Sequence, residues 1–284
     1  SVNTVMNWLS LLIAFFLFLA IGLLIIYALK FEYSFGGLFF YYKVFLINLY
    51  LKTFEIVIII DNLSLLLMFL TVILYIVSII VIWNLDLNKR LLSFLLYLTI
   101  IFVLLSFMTY DLLFFYLFFE IILIPMFLII GIWGSRERKL TAAFRFFLYT
   151  LVGSIFLLVF IVYNFYFFGT TNIIQLMNLI AYDDYRINII FWLFSFFAFA
   201  VKIPIYPFHT WLPEAHAEAP TIGSIILAGI LLKLGPYGIF RFSNFLYPYG
   251  LVFFKPLIFV ILCLGIYYTS LSAVRQLDMK KVIA

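Results

Sequence analysis

The sequence predicts a polytopic bundle of transmembrane helices, and composition, apolar runs and periodicity each support that fold class. Of the 284 residues, 68% are hydrophobic and only 10% are charged, and the mean hydropathy is +1.28. Several apolar runs reach the roughly 20 residues that a helix needs to cross the hydrocarbon core. These runs lack the period of two that a membrane-spanning strand requires, so the predicted spans are helices. An ordinary soluble domain is excluded.

The predicted transmembrane helices are the apolar runs that are long enough to span the membrane. The eight predicted spans are residues 8–29, 62–83, 91–110, 112–133, 140–168, 187–206, 221–240 and 256–274. A shorter apolar segment, residues 38–51, is interrupted by Lys43 and is predicted to be interfacial or re-entrant. We therefore divide the chain into an N-terminal helix with an interfacial segment, residues 1–60, and a larger helical part, residues 61–284.

The short connections between the later spans differ in charge. Residues 84–90, 134–139, 207–220 and the tail after residue 274 alternate onto one face and hold eight Lys and Arg, and we name this the cationic face. The opposite face comprises residues 110–111, 169–186 and 241–255, which hold three. Lys and Arg in short loops collect on the cytoplasmic or matrix side, so the cationic face is predicted to lie there. The net charge of +5 is spread thinly, and no nucleic-acid partner is predicted.

Three ionisable residues lie inside otherwise apolar spans: Glu120, Lys202 and Lys233. They lie roughly 12, 22 and 18 Å from the starts of their predicted helices, in a core about 30 Å thick. Each costs about 2.5–3.5 kcal/mol on an insertion scale. One interpretation is a set of ion pairs that fix helix packing. The other is a proton relay, because burial favours the neutral form of both a carboxyl and an amine, and a nearby charge then decides whether a proton is held.

Proline residues predict that helices break beside two of these charges. Pro204 removes a backbone donor and clashes with the carbonyl of Ala200, so the helix should kink or unwind around Lys202. Discontinuous membrane helices are tolerated where they line a polar cavity, and Lys202 is predicted to face one. Pro125, five residues after Glu120, predicts a weaker kink.

Both histidines of the chain, His209 and His216, lie in the polar connection 207–220 together with two glutamates. Three interpretations are open: residues that help protons enter or move between half-channels, plain hydrogen-bonded loop residues, or a metal site. The metal site is disfavoured, because no helix carries the HExxH pattern.

Several other kinds of site are disfavoured by the sequence. The single cysteine, Cys263, lies in an apolar run and is expected to be a buried, inert thiol. The glycines of residues 234–238 lack the strand, loop and helix of a phosphate cradle, and no pair of histidines suggests haem ligation. No metal or redox cofactor is therefore predicted in this chain.

Five segments of the chain resemble a known family. Residues 118–125 (FFEIILIP), 149–154 (YTLVGS), 200–224 (AVKIPIYPFHTWLPEAHAEAPTIGS), 227–242 (LAGILLKLGPYGIFRF) and 275–281 (RQLDMKK) are similar to the antiporter-like membrane subunits of respiratory complex I. The block 200–242 is the most specific, whereas the N-terminal third matches mainly through residues 61–65 (DNLSL) and through hydropathy.

The resemblance implies a proton-translocating subunit of NADH:ubiquinone reductase without a redox centre of its own. It implies that Glu120 and Lys202 form the family's Glu–Lys pair, that Lys233 continues the central polar axis, and that His209 and His216 match the histidines of the connecting segment. FMN, iron–sulfur clusters and ubiquinone would then be bound elsewhere in the complex. The composition, rich in Phe and Tyr, is typical of an organelle-encoded member and predicts the mitochondrial inner membrane.

The resemblance also sets expectations about partners. Family members continue into a second, inverted half, and we expect that a separate chain supplies it here and docks against the tail after residue 274. The remaining partners would be other membrane subunits of the complex and the lipid bilayer. Two other functions stay open: a stand-alone sodium/proton antiporter subunit, and a structural spacer that does not pump.

Overall fold

The computed structural model describes the backbone of residues 2–31, 38–49, 52–83, 89–180 and 185–284, and the side chains of residues 8, 10–25, 57–83, 89–180 and 185–284. The helices before the polar connection 207–220 are α1 Val2–Phe31, α2 Asn62–Trp83, α3 Lys89–Met108, α4 Leu112–Ile121, α5 Leu123–Trp133, α6 Lys139–Phe168, α7 Ile173–Ile180 and α8 Tyr185–Lys202. The later helices are α9 Trp211–Glu218, α10 Thr221–Ile226, α11 Leu232–Gly238, α12 Asn244–Leu246, α13 Pro248–Val274 and α14 Met279–Ile283.

The predicted polytopic helix bundle is confirmed. Among the described residues, seven helical stretches are long and apolar enough to cross a membrane. They are Asn62–Trp83, Lys89–Met108, Leu112–Trp133, Lys139–Phe168, Tyr185–Lys202, Thr221–Leu246 and Pro248–Val274. The first predicted span, residues 8–29, lies within helix α1, which packs against α2 through Phe18 and Phe69, whose ring centroids are 5.2 Å apart.

The last two spans are longer than predicted. The helical stretch Thr221–Leu246 includes Arg241, and α13 includes Lys255, although both residues were expected in a loop of the opposite face. Helix α13 can begin at Pro248 because a proline in the first helical turn loses no intrahelical hydrogen bond. Lys255 is exposed near the start of α13, where a long side chain can extend to the membrane surface.

The stretch Thr221–Leu246 is not a uniform α-helix. Two five-residue π-helical segments, Leu227–Leu231 and Ile239–Ser243, flank α11, which contains Pro236. Proline removes a backbone donor from a helix, and π-helical segments of one turn are often found at functional sites. This irregular span packs against α8 next to Lys202.

An antiparallel hairpin adds to the predicted all-helical fold. Strand β1, Leu38–Leu49, pairs with strand β2, Lys52–Asp61. Residues 38–51 were predicted as interfacial or re-entrant. They form β1, except that residues 50–51 lie outside the described residues, and their position relative to the membrane stays a prediction. The aromatic and β-branched residues of both strands favour this extended structure, which a search for spanning runs does not detect.

The connections predicted to share a face contact one another where both partners are described. On the cationic face, the amide of Ser135 donates to the carbonyl of Glu218 at 3.0 Å, and Arg136 forms an ion pair with Asp278. On the opposite face, the amide of Leu112 donates to the carbonyl of Thr171 at 3.0 Å. Most of segment 84–90 and residues 181–184 lie outside the described residues.

Helix α13 lies at the edge of the described bundle. Only 6% of its most apolar window is buried, and it packs mainly against α8, where Gly250 lies directly on Trp192. Cys263, expected to be buried, is exposed on this helix. The expectation failed because hydropathy does not distinguish a helix surrounded by protein from one that leaves most of its surface uncovered.

Candidate functional site

Helix α8 ends at Lys202, as the position of Pro204 predicted. The amide of Ile203 still donates to the carbonyl of Phe199 at 2.8 Å. The amide of Ile205, one residue beyond the proline, donates to the carbonyl of Ala200 at 2.9 Å. The chain becomes helical again only at Trp211. The predicted helix discontinuity at Lys202 is therefore confirmed.

The side chain of Trp211 closes this break. Its indole N–H donates to the carbonyl of Val201 at 3.0 Å, and the side chain is 2% exposed. A buried backbone carbonyl without a partner is costly, so Trp211 stabilises the discontinuity. Trp211 was not predicted as a site residue, although a tryptophan in a polar connection is a signal, because a buried indole usually has a hydrogen-bond acceptor.

The side chain of Lys202 is buried inside the bundle. It is 2% exposed, and its Nζ has no hydrogen-bond partner within the described part of the chain. The ammonium lies over the ring of Phe119, 4.0 Å from the ring centroid, which is the geometry of a cation–π contact. Phe119 and Glu120 are neighbours on α4, so one helix supplies both groups that attract the ammonium.

Glu120 faces the same interior from near the end of α4. Its Oε1 is buried and has no hydrogen-bond partner in the part of the chain that the structure describes, and its carboxyl interacts electrostatically with Lys202 and with the Ser154 hydroxyl of α6. Among the described residues, no ion pair with an N–O distance of 4.0 Å or less joins Glu120 to Lys202. The two groups are therefore coupled through space without direct contact, an arrangement in which one water could carry a proton between them.

Regular helix is interrupted for one residue at the place where a weak kink was predicted after Glu120. The chain leaves regular helix at Ile122, three residues before Pro125, and α5 begins at Leu123. The amide of Ile122 donates to the carbonyl of Phe118 over a long 3.4 Å. Both charges of the predicted pair therefore lie next to a helix irregularity.

Lys233 is not brought to this pair inside the described bundle. Its side chain is exposed, and its Nζ donates to the carbonyl of Ala228 at 2.7 Å. Ala228 lies in the first π-helical segment. The structure therefore joins two of the three predicted relay residues and places the third on the outer surface.

The two histidines occupy different settings on the cationic side. His209 lies in the break, half-buried against the rings of Tyr206 and Tyr268, and its Nδ1 is buried without a hydrogen-bond partner in the described structure. His216 lies in α9 and is 8% exposed. Burial, together with the positive charge of Lys280, lowers the pKa of His216 below its ordinary value. Within the described residues, no group of three His, Cys, Asp or Glu side chains is arranged to hold a metal ion.

A charged cavity opens on the cationic face. Its volume is about 430 Å3, and its walls include Arg136, Arg138, Arg145, Glu214, Glu218 and Lys281. Arg145 forms an ion pair with Glu214. Glu218 is 8% exposed, and its Oε2 has no hydrogen-bond partner among the described side chains. The cavity is polar enough to hold water next to the helix that follows the break.

A second buried charge cluster lies toward the opposite face, and the sequence analysis did not find it. Arg241 is 5% exposed and pairs with Asp61, whose side chain is 16% exposed. Arg241 also donates to the hydroxyl of Tyr110 at 2.7 Å and of Tyr237 at 3.4 Å. Burial opposes the ionisation of Asp61, but the hydrogen bond and charge of Arg241 and the bonds from Ser64 outweigh it, so the pKa of Asp61 lies below its usual value. Both charges were placed just outside predicted spans, so neither was examined as a buried group.

The bundle with its broken helix and coupled Glu–Lys pair is that of an antiporter-like membrane subunit. The chain belongs to the family described as NADH:quinone oxidoreductase/Mrp antiporter, transmembrane, which matches residues 109–284. It is 48% identical over 228 residues to NADH-ubiquinone oxidoreductase chain 4 of Prototheca wickerhamii, a match that covers 79% of this chain and 43% of the relative. It is 49% identical over 238 residues to chain 4 of Acanthamoeba castellanii, with 83% and 47% covered. The chain spans less than half the length of these relatives.

Solved structures share the architecture. A chain of respiratory complex I from Thermus thermophilus, solved with bound NADH, superposes with a TM-score of 0.75 at 25% identity, over 97% of this chain and 60% of that one. A chain of the membrane-bound sulfane sulfur reductase, an archaeal respiratory membrane complex, gives a TM-score of 0.77 at 19% identity, over 96% and 43%. The second likeness concerns the fold alone.

Proposed function

We propose that the chain is a proton-translocating membrane subunit of respiratory complex I, in which electron transfer from NADH to ubiquinone drives protons past Glu120 and Lys202. One observation carries the proposal: the ammonium of Lys202 is buried, has no hydrogen-bond partner among the described residues, and lies at the end of a broken helix within the electrostatic reach of Glu120. A buried ionisable residue in a membrane span is expensive, and such residues commonly mark ion or proton pathways.

The two side chains act as a pair. The aromatic surroundings of Lys202 provide little compensation for its charge besides the ring of Phe119 and the carboxylate of Glu120. When Glu120 loses its negative charge, the ammonium loses its counter-charge, and release of a proton from Lys202 becomes easier. When the carboxylate returns, Lys202 is favoured to take up a proton again. Because α8 ends at Lys202, we expect the backbone beside this lysine to be less constrained than in a continuous helix.

Protons reach this pair from the cationic face. The charged cavity beside Glu214 and Glu218 supplies a wet route to the connection that contains His209 and His216. An imidazole has two ring nitrogens, one of which can accept a proton while the other donates one, so a histidine can pass a proton between two partners. Lys233 would continue the route outward, toward a neighbouring chain that contacts its exposed side chain.

The proposal includes the assembly in which the chain works. The names of its relatives support a place in NADH:ubiquinone reductase in the mitochondrial inner membrane. The excess of Lys and Arg in the connections of the cationic face supports placing that face toward the matrix. FMN, iron–sulfur clusters and ubiquinone would be bound by other subunits. We propose that other membrane segments of the assembly cover part of the exposed surface of this chain, which matches 43% and 47% of these two relatives.

A stand-alone sodium/proton antiporter subunit is the second candidate, because the family description includes Mrp antiporters. The same Glu120 and Lys202 would serve it. The two functions differ in their driving force: the first requires NADH oxidation, whereas the second responds to a sodium gradient without it.

Neutral substitutions at the pair test the proposal. In sealed membrane vesicles that contain the assembled complex, Lys202→Met and Glu120→Gln should each lower proton translocation driven by NADH at least about tenfold, because proton transfer by a positioned group is worth that much or more. Lys255→Met, which removes an exposed lysine from α13, is the matched control and should have no effect. Unchanged translocation in both variants would support the structural spacer instead. Translocation driven by sodium without NADH would support the antiporter.

A further inference from the structure

The buried pair of Arg241 and Asp61 joins two distant parts of the chain. Arg241 lies in the second π-helical segment, Ile239–Ser243, and Asp61 ends strand β2 just before α2. The other carboxylate oxygen of Asp61 accepts the amide of Ser64 at 3.0 Å. Each side chain is therefore held by more than one hydrogen bond, which fixes the position of the π-helical segment relative to the start of α2.

Tyr237 extends this polar cluster into the core. Its hydroxyl accepts from Arg241 and donates to the carbonyl of Phe107 at 2.9 Å. Its ring stacks edge-on against Phe107, with the centroids 5.1 Å apart. Because Tyr237 is 2% exposed, any shift of Arg241 must move tightly packed side chains.

The helical stretch Thr221–Leu246, which contains Arg241 and Tyr237, contacts the aromatic rings around Lys202. Phe242, the residue after Arg241, lies 4.3 Å from Phe115 between ring centroids. A Cβ added to Gly238 would lie only 2.2 Å from the ring of Phe199, so the backbone rests directly on that ring. Phe115 and Phe199 each contact Phe119, at 5.6 and 6.2 Å between centroids. The ammonium of Lys202 lies against the face of the Phe119 ring.

We infer that Arg241, held by Asp61, is a positioning residue for Lys202: it fixes the aromatic wall of Phe115, Phe199 and Phe119 against which the lysine ammonium lies. Arg241 does not itself exchange protons in this role. The inference rests on the proposed function, since it assigns a task to Arg241 only if Lys202 transfers protons. Proton transfer depends steeply on geometry, and a displacement of about 1 Å can cost up to about a hundredfold in rate.

Three variants of the cluster test the inference in the assembled complex. Arg241→Gln removes the ion pair, Arg241→Lys keeps the charge but not the set of three hydrogen bonds, and Tyr237→Phe removes only the hydroxyl that links Arg241 to Phe107. The matched control is Arg186→Gln, at an exposed arginine on the opposite face. Lys202→Met is measured alongside. The readout is the rate of proton translocation driven by NADH, divided by the flavin content of the vesicles, because a merely structural defect lowers the amount of complex and not the rate per complex.

We expect Arg241→Gln to lower the rate of proton translocation per flavin at least about fivefold, and Tyr237→Phe to lower it about twofold. The rate of Arg241→Lys should lie between those of Arg241→Gln and the unsubstituted protein. Arg186→Gln should match the unsubstituted protein. If Arg241→Gln prevents assembly, Tyr237→Phe decides, since its ring packing is kept. A normal rate in the assembled variants together with a low rate in Lys202→Met overturns the inference and leaves the proposed function intact. A normal rate in Lys202→Met overturns the proposed function, and the inference with it.

Discussion

The ammonium of Lys202 lies 4.0 Å from the centre of the Phe119 ring. Phe119 directly precedes Glu120 on α4, so the ring that holds the lysine and the carboxyl coupled to it move as one unit. The interruption at Ile122 follows two residues after Glu120, and α8 ends at Lys202 itself. The candidate site is therefore built where two helices both lose regularity, which gives backbone freedom at the place where side chains must be able to shift.

The close approach of Gly235 to the helix break gives a first prediction. A Cβ at Gly235 would lie 2.4 Å from Cγ1 of Ile203, the residue after Lys202. Gly235→Ala should therefore displace the break and lower the free energy of unfolding by about 1–3 kcal/mol. The measurement is the thermal unfolding midpoint of the complex in detergent. Gly22→Ala in α1 is the control, because nothing lies within 4 Å of a Cβ there. Equal midpoints for the two variants would contradict the steric argument.

The hydrogen bond from Trp211 gives a second prediction. Trp211→Phe leaves the buried carbonyl of Val201 without its partner and should cost about 1–3 kcal/mol beyond the loss of ring volume. Trp192→Phe is the control, because it makes the same change in volume at another buried tryptophan. The indole of Trp192 donates a longer hydrogen bond, of 3.4 Å, to the side chain of Asn244. Unfolding of the purified complex by heat or denaturant gives the comparison. The prediction fails if the Trp192 variant is destabilised as much as the Trp211 variant.

The lowered pKa of His216 gives a third prediction. Because its pKa in the folded chain lies below the ordinary value of 6.5, protonation favours the unfolded chain. The stability that neutral His216 provides is complete above that ordinary value and is lost as the pH falls through the lower folded value. His216→Gln should therefore show a smaller loss of thermal stability than the unsubstituted protein between about pH 7.5 and about pH 5.

Lys280 provides the control for this pH dependence. Its charge contributes to the lowered pKa of His216, so Lys280→Gln should reduce the acid sensitivity in part. Thermal midpoints recorded across the pH series for the three proteins test this order. Identical pH profiles for the unsubstituted protein and His216→Gln would show that another group is responsible.

Much of the fold followed from properties of single segments. A run of about 20 apolar residues must form a helix in a bilayer, because its backbone groups find no other partners there. Pro204 ends a helix wherever that helix lies, because the missing donor and the clash with Ala200 are local. The two-faced arrangement of loops followed from the alternation of spans. The hairpin of β1 and β2 did not follow, since strand pairing depends on a partner elsewhere in the chain.

The sequence by itself placed Glu120, Lys202 and Lys233 in apolar helices, and only the tertiary structure decided which of those charges meet. Lys202 and Lys233 give the same signal, a lysine in an apolar span, yet Lys202 is 2% exposed and Lys233 is on the outer surface. The sequence did not indicate that Arg241 is buried, although it pairs with Asp61, which is far from it in the sequence. Hydropathy measures what a segment contains, whereas burial depends on the direction in which each side chain points and on which helix packs there.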